Sequence, residues 1–271
     1  MRSYVKRRFE VKVDGSVGYR VEDGVATVTM QRPQRLNALD GELLGGLVAA
    51  LDRARAEGVR GLVLCGADGA FSAGADLQVV TQSLATGADA ALTPMLDAAE
   101  RAVLELALLP FPTVAAVEGV AVGLGMGLAL ACDLRVAARS ARMIAGYLRI
   151  GACPDGGVSL HLVRAVGAAR ALALLLRNRP LGAEEMLRLG LVEEVVDDGA
   201  APGAGRRLAA EVAGVSPEAL LATRELVGTA AGAALPAQLD AERRHVSRLW
   251  KTDEFHQGVA RVLQRRRGRV S

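Results

Sequence analysis

The chain has 271 residues and a formal net charge of +3 at pH 7, which is room for one sizeable domain. Hydrophobic residues make up 51% and aromatic residues only 3%, so we expect a core of alanine, leucine and valine. No basic stripe is interleaved with aromatic residues, which argues against nucleic-acid binding. The basic runs at residues 6–8 and 265–269 are expected to be solvated.

The three cysteines, Cys65, Cys132 and Cys153, are scattered and odd in number, which favours reduced thiols in a cytoplasmic protein. The histidines lie far apart and share no zinc-type spacing with cysteine, so we predict no metal or other resident cofactor. The N-terminus has no apolar signal core. The longest uncharged apolar run, 119–132, is too short to span a bilayer, so no membrane partner is expected.

The first half of the chain alternates between strand and helix patterns. Residues 25–30 alternate in the strand period, and a helix is predicted from Asp40 to a stop at Gly58. Further elements are a strand at 59–64, a helix over about 96–109, a strand at 113–117, a buried helix after a glycine-rich turn, and a strand at 134–137. This order predicts an α/β fold with largely parallel strands.

Beyond Pro154 the pattern becomes helical, with helices predicted at 158–166, 169–176, 183–189 and 217–227, and a charged helical stretch over 235–267. We therefore divide the chain into an N-terminal extension (1–19), an α/β core (20–200) and a C-terminal helical region (201–271). The extension is either an additional strand or a disordered arm. Residues 83–94 lack a clear period and are expected to be mobile.

Two small-residue loops point to the chemistry. Residues 71–76 read F-S-A-G-A-D and residues 119–125 read G-V-A-V-G-L-G, and each loop enters a predicted helix. The first N–H groups of a helix have no intrahelical partner, so two such ends can direct two donors at one oxygen atom and form an oxyanion hole. Carbonyl activation is therefore predicted. The second loop lacks the G-x-G-x-x-G spacing of dinucleotide-binding folds, which disfavours a Rossmann domain.

Linked motifs carry a family resemblance. Residues 71–77 (F-S-A-G-A-D-L), 112–133, 151–157 and the R-P and L-N-A-L sequences at 32–39 resemble the crotonase superfamily of enoyl-CoA hydratases and isomerases. The resemblance runs from about residue 20 to the C-terminus. It implies a crotonase-like spiral of ββα units, a C-terminal helical region that builds homotrimers or dimers of trimers (hexamers), and an acyl-CoA substrate of the kind handled in fatty acid metabolism. Coenzyme A would enter as part of that substrate.

Carried over residue by residue, the resemblance assigns the oxyanion donors to the backbone N–H groups of Ala75 and Leu124. Leu124 stands where the family usually has glycine. The CoA-ester-binding positions that the resemblance implies are Arg35, Ala38, Ala73, Ala75, Asp76, Leu77, Gln78 and Leu124. Asp76 is also expected to cap a helix or turn, and Glu118 and Asp133 are expected to be structural.

The catalytic positions depart from the hydratase pattern. Hydratases manage a water and a proton with two glutamates, and these align with Gly127 and Tyr147. Glycine has no side chain that could act as an acid, and the tyrosine phenol, with a pKa of about 10, is a poor base near neutrality. Ordinary hydratase activity is therefore not expected. Asp155 matches the isomerase branch that includes the phenylacetate-pathway ring-epoxide isomerases. There a single aspartate moves a proton between two carbons.

We therefore expect Asp155 to be the base, in a pocket lined by Leu124, Met126, Tyr147 and Ile150 that would raise its pKa. Tyr147 would act as a hydrogen-bond donor in this pocket or form a stacking wall of it. Asp155 also fits a Pro-Asp-Gly turn or a helix N-cap.

Other classes of function stay open. The chain fits a non-catalytic acyl-CoA-binding protein that lost both glutamates, a residual hydratase, or an enzyme with an aspartate nucleophile at 155, which would need a second base. Ser72 and Ser159 have no histidine and acid at recognisable spacing, which disfavours a serine hydrolase. His161 is expected to be a core or surface residue.

Overall fold

Two sheets organise the computed structural model, which describes residues 10–13, 15–85, 89–230 and 235–267. Their strands are β1 (Glu10–Val13), β2 (Val17–Glu22), β3 (Val25–Met30), β4 (Gly61–Gly66), β5 (Thr113–Val117), β6 (Val120–Val122), β7 (Leu134–Ala138), β8 (Arg142–Ile144), β9 (Leu181–Gly182) and β10 (Glu194–Val196). A seven-stranded sheet runs β1-β2-β3-β4-β5-β7-β10, and a three-stranded sheet runs β6-β8-β9. From β3 to β10 all neighbours in the large sheet are parallel.

Helices surround these sheets. They are α1 (Gly41–Glu57), α2 (Leu77–Ala85), α3 (Asp89–Leu108), α4 (Leu124–Ala131), α5 (Val158–Val166), α6 (Ala168–Arg177), α7 (Ala183–Arg188), α8 (Ala201–Val212), α9 (Pro217–Ala230), α10 (Leu235–Leu249) and α11 (Asp253–Arg267). Helix α1 follows Asp40 as predicted; this N-cap residue accepts a hydrogen bond of 2.9 Å from the Leu43 N–H through its side chain. It ends at Gly58, where φ is 62°, a left-handed conformation that glycine adopts without strain.

The core lies on both faces of the large sheet. Tyr19 on β2 reaches Glu57 of α1, and alternation along the strands places Leu62 and Leu64 of β4 on that same face. Val63 faces the opposite side, where α8 packs. A Cβ on Gly205 of α8 would lie 3.2 Å from Val63 Cγ1, so glycine lets this helix approach the sheet closely.

The α/β prediction is confirmed, and β3, β5 and α5 have the predicted bounds. The stretch 83–94, predicted to be mobile, contributes to two helices, because α2 extends to Ala85 and α3 begins at Asp89 with Pro94 inside it; residues 86–88 lie outside the described residues. The predicted C-terminal stretch is two helices, α10 and α11, with a break at 250–252. In the N-terminal extension, β1 is a strand, and residues 1–9 and 14 lie outside the described residues.

Helix α8 and the short strands β6, β8, β9 and β10 were not predicted. Pro202, Gly203 and Gly205 hide the helical pattern of α8, and strands of two or three residues have too little sequence to show a period. Within the described part of the chain, no helix combines the length and the apolarity needed to cross a membrane.

Candidate active site

Main-chain hydrogen bonds join the two small-residue loops. The Ser72 N–H donates to the carbonyl oxygen of Val120, and the Val122 N–H donates to that of Ser72, both at 2.9 Å. A Cβ on Gly74 would lie 2.5 Å from the Val122 oxygen, and one on Gly125 would lie 2.8 Å from the Ser72 oxygen. No larger residue fits at either position without moving backbone, so the glycines are what bring the loops into contact.

The amides of Ala75 and Leu124 lie at this junction. The Leu39 N–H donates to the Gly74 oxygen at 2.8 Å, and the Leu39 oxygen accepts from Asp76 N–H at 2.9 Å. Leu39 and Ala75 thus form a parallel bridge in which Leu39 bonds to the residues on either side of Ala75. The N–H of Ala75 therefore points away from Leu39. Leu124 is the first residue of α4, so its N–H has no acceptor within the helix. A Cβ on Gly74 would lie 3.7 Å from the Leu124 nitrogen, which places that amide beside the first loop.

Ala75, Leu124 and Asp155 line one cavity of about 70 Å³. The other lining residues are Leu77 and Val80 of α2, Met95, Leu96 and Ala99 of α3, Ala152 and Cys153 of the Asp155 loop, and Val246, Trp250 and Phe255 from α10 to α11. Asp155 is the one carboxylate among these lining residues. The cavity therefore combines two backbone loops, one acid and an apolar wall.

A hydrogen bond links Asp155 to Tyr147. The tyrosine hydroxyl donates to Asp155 Oδ1 at 2.8 Å. Tyr147 is buried and begins a 3₁₀ turn, Tyr147–Ile150. A Cβ on Gly123, the N-cap residue of α4, would lie 3.7 Å from two ring carbons of Tyr147. The ring thus lies across the start of the helix that presents Leu124.

The loop at 155–157 rests directly on α4. A Cβ on Gly127 would lie 2.7 Å from the Gly156 carbonyl oxygen, so position 127 has no room for a side chain in this backbone arrangement. The Leu124 side chain packs against Gly156, because a Cβ there would lie 2.6 Å from Leu124 Cδ1. Leu124 therefore supports the loop as well as lining the cavity.

The predicted pocket walls need correction. Of Leu124, Met126, Tyr147 and Ile150, only Leu124 lines the cavity. Met126 faces the core and is fully buried, Tyr147 reaches Asp155 through its hydroxyl, and Ile150 lies against Gly258 of α11. Sequence reasoning missed Trp250 and the other wall residues of α3, α10 and α11. The one usable signal was a single tryptophan within an otherwise charged stretch.

The predicted CoA-ester-binding residues separate into two groups. Ala75, Leu77 and Leu124 line the cavity. The others do not line it. Ala73 is half-buried, Ala38 and Asp76 are buried, and Arg35 and Gln78 are exposed. Asp76 pairs with Arg32 at 3.1 Å and accepts from the Gln78 N–H at 3.1 Å, which is the expected capping role at the start of α2.

Glu118 and Asp133 make structural contacts. Glu118 accepts from the N–H of Ala201 at 2.9 Å, at the start of α8. Asp133 accepts from the Thr113 N–H at 2.8 Å and from Arg224 Nε at 2.7 Å, which ties α9 to β5. Both carboxylates are thus engaged away from the cavity.

His161 lies on α5, behind the Asp155 loop. A Cβ on Gly157 would lie 3.3 Å from its Nε2 atom, and this buried atom has no hydrogen-bond partner among the described residues. Desolvation, with smaller contributions from the charges of Arg135 and Arg164, lowers the pKa of His161 to about 4. The imidazole is therefore neutral near pH 7.

Known proteins match nearly the whole chain. The family model described as enoyl-CoA hydratase/isomerase matches residues 20–269. A probable enoyl-CoA hydratase from Rhodobacter capsulatus is 36% identical over 254 residues, covering 93% of this chain and 96% of that protein. A 1,2-epoxyphenylacetyl-CoA isomerase from Escherichia coli is 34% identical over 254 residues, covering 91% and 94%.

A solved structure shares the fold. The crystal structure of an enoyl-CoA hydratase from Bacillus halodurans superposes with a TM-score of 0.83 at 29% identity, over 91% of this chain and 99% of that one. The expected crotonase-like architecture is confirmed, and with sequence and structure in agreement the chain belongs to the enoyl-CoA hydratase/isomerase family.

Proposed function

We propose that the protein is an acyl-CoA isomerase in which Asp155 moves a proton between two carbons of an enoyl or cyclic acyl group. The observation that supports this most strongly is the cavity that holds one carboxylate together with Ala75 and Leu124. Their two N–H groups would form an oxyanion hole for the thioester oxygen, where negative charge develops as the enolate forms.

The reaction needs one base. The Asp155 carboxylate removes a proton from the α-carbon, and the electrons of that C–H bond form the enolate, with its negative charge on the thioester oxygen. Protonated Asp155 then returns the proton to the γ-carbon, the double bond moves and the carbonyl reforms. The carboxylate ends as it began, so one residue serves as acid and base.

The hydratase mechanism is less well supported. It needs a second acid to manage water, and Gly127 has no space for one. Tyr147, at the other hydratase position, directs its hydroxyl to Asp155. The same two residues motivate the competing proposal of an acyl-CoA-binding protein without activity.

We infer that the rest of the CoA ester follows residues 73–78 towards the exposed Arg35. The Ala73 N–H donates to the Leu36 oxygen at 2.9 Å, which joins this loop to the segment that carries Arg35 and Ala38. Asp76, Leu77 and Gln78 continue from the cavity to the surface. A guanidinium at the outer end would suit the phosphates of CoA.

We also infer a homotrimer or a dimer of trimers. On α6, Leu172 and Leu176 are 58% and 64% exposed, and Val163 on the neighbouring α5 is 43% exposed. A second copy of the chain would cover this apolar surface. Sedimentation equilibrium that reports a monomer at micromolar concentration would contradict this assembly. Cytoplasmic location stays a prediction.

The function is tested with Asp155→Asn, which keeps the shape of the side chain and removes the base. We expect deuterium exchange at the acyl α-carbon in D₂O, and double-bond migration, to fall by about 10²–10⁴-fold. The affinity for a saturated acyl-CoA should stay nearly unchanged. Wild-type protein that binds acyl-CoAs without any exchange would favour the binder, and rapid water addition to crotonyl-CoA would favour the hydratase.

A further inference from the structure

We propose that Tyr147 is a positioning residue, whose hydroxyl orients the Asp155 carboxylate and keeps it ionised for proton abstraction. This inference rests on the proposed function and adds a role that no carboxylate at position 147 could perform, since an ionised carboxylate cannot donate a hydrogen bond. The 2.8 Å contact between the hydroxyl and Asp155 Oδ1 is its first support.

Both partners of this hydrogen bond are held by α4. The Tyr147 ring lies across Gly123 at the start of the helix, and the carbonyl group of Gly156, the residue after Asp155, lies on Gly127 one turn further along. Helix α4 therefore fixes the distance between donor and acceptor. It also supplies the Leu124 amide, so the base, its donor and one oxyanion donor share a single rigid support.

The turn that carries Tyr147 is itself anchored. The Gly146 N–H donates to Asn178 Oδ1 at 2.7 Å, and the Ala152 N–H donates to the Tyr147 oxygen at 3.1 Å. Gly258 of α11 packs against Ile150 at the end of the turn. A tyrosine held at both ends of its turn has little freedom to leave Asp155.

Few other ionisable groups face Asp155. Helices α2 and α4 have none in their sequences, and Cys153 is the other titratable residue of the cavity lining. On α3, Asp97 and Glu100 pair with Arg243 of α10. Other charged or titratable groups on neighbouring elements include His161, neutral near pH 7, Arg164, which donates to the Gly228 carbonyl oxygen, and Arg149 of the 3₁₀ turn. His256 of α11 is hydrogen-bonded to the Trp250 carbonyl oxygen. Arg101 and Glu105 of α3 pair with Asp52 and Arg55 of α1. The Tyr147 hydroxyl donates directly to the Asp155 carboxylate.

A donor to the carboxylate favours its charged form and lowers its pKa. Removal of the hydroxyl in Tyr147→Phe should therefore raise the pKa of Asp155. The acidic limb of the kcat/KM profile for α-proton exchange, where the base becomes protonated, should move up by about one pH unit. At a fixed pH near this limb kcat should fall by about tenfold, while KM changes by less than about twofold, because substrate contacts are untouched.

The chain offers a matched control in Tyr19→Phe. Tyr19 is buried and its hydroxyl also donates to a carboxylate, Glu57 Oε2, at 2.8 Å. Its strand, β2, contributes no residue to the cavity. This variant loses an equivalent hydrogen bond and should keep the kcat, the KM and the acidic limb of the wild type.

Site-specific replacement of Tyr147 by 3-fluorotyrosine provides a second measurement that does not remove the bond. The more acidic phenol is a stronger donor, so the limb should move to lower pH. The positioning role would be overturned if the acidic limb of the kcat/KM profile stayed at the same pH in both Tyr147 variants while Asp155→Asn abolished exchange. That result would leave the proposed function intact. Undiminished exchange in Asp155→Asn would overturn the proposed function itself.

Discussion

Gly127→Ala is the sharpest test of how the site is held together. The added Cβ would lie 2.7 Å from the Gly156 carbonyl oxygen, whereas ordinary contacts begin at 3.4 Å. The neighbour is backbone and cannot rotate away, so the Asp155 loop or α4 must move by up to about 0.7 Å, the difference between these two distances. Because a misplacement of about 1 Å can cost on the order of 10²-fold in rate, we expect kcat for α-proton exchange to fall by about tenfold or more.

Stability should respond much less than activity. Alanine gains about 1 kcal/mol over glycine in a helix interior, and overpacking costs about 1–3 kcal/mol, so the net loss in the free energy of unfolding should be at most about 2 kcal/mol. Gly45→Ala is the control, because Gly45 is an exposed helical glycine whose added Cβ meets nothing within 4 Å. It should be stabilised and fully active.

The assays are urea unfolding followed by circular dichroism and α-proton exchange measured by NMR in D₂O. Gly127→Ala with parental kcat and increased stability would refute the reasoning, since it would mean that the loop does not rest on α4. A loss of kcat shared equally by Gly45→Ala would also refute it.

Two further predictions concern pH and substrate size. In the folded protein the pKa of His161 is lowered to about 4 from an ordinary 6.5, so the unfolded chain binds this proton first as the pH falls. The free energy of unfolding should therefore decrease between about pH 6.5 and 4, by up to about 3 kcal/mol. His161→Leu should flatten this part of the stability profile, and an unchanged slope of stability against pH in urea titrations would contradict the prediction. Trp250→Ala removes the largest apolar side chain that lines the cavity of about 70 Å³. The ratio of kcat/KM for an eight-carbon over a four-carbon enoyl-CoA should therefore rise by about tenfold or more, as expected when apolar contacts decide specificity. Trp250→Phe, which keeps an aromatic wall, should change that ratio much less, and an identical ratio in both variants would count against this wall.

Local sequence predicted the elements that have clear boundaries. Strand β5 follows Pro112 and α1 lies between Asp40 and Gly58, so start and stop signals were readable. Helix α8 was invisible because its proline and glycines argue against a helix when read alone. The sheet surface explains one of them, since a Cβ on Gly205 would lie 3.2 Å from Val63 Cγ1 and glycine therefore lets α8 pack closely there.

The site was predictable only in part. The resemblance carried by the loop motifs implied Ala75, Leu124 and Asp155, and the fold brings these three to one cavity. The wall could not be predicted, because Met95 of α3 and Trp250, between α10 and α11, lie far from Asp155 in sequence. Helix α4 is buried all round, so its periodicity could not show that Met126 faces the core while Leu124 faces the cavity.

In the alignment that the family resemblance implies, the glycine at the first hydratase glutamate position also leaves room for the Asp155 loop. Gly127 lets the Gly156 carbonyl lie where a Cβ would be only 2.7 Å away, so with this backbone a side chain at 127 and the loop of Asp155 compete for the same space. Tyr147, at the second glutamate position, supplies a donor to that aspartate. The two departures from the hydratase pattern therefore act together: one admits the Asp155 loop to α4, and the other holds its carboxylate. A change of either residue alone towards glutamate would remove support from Asp155 before it could restore a two-acid site.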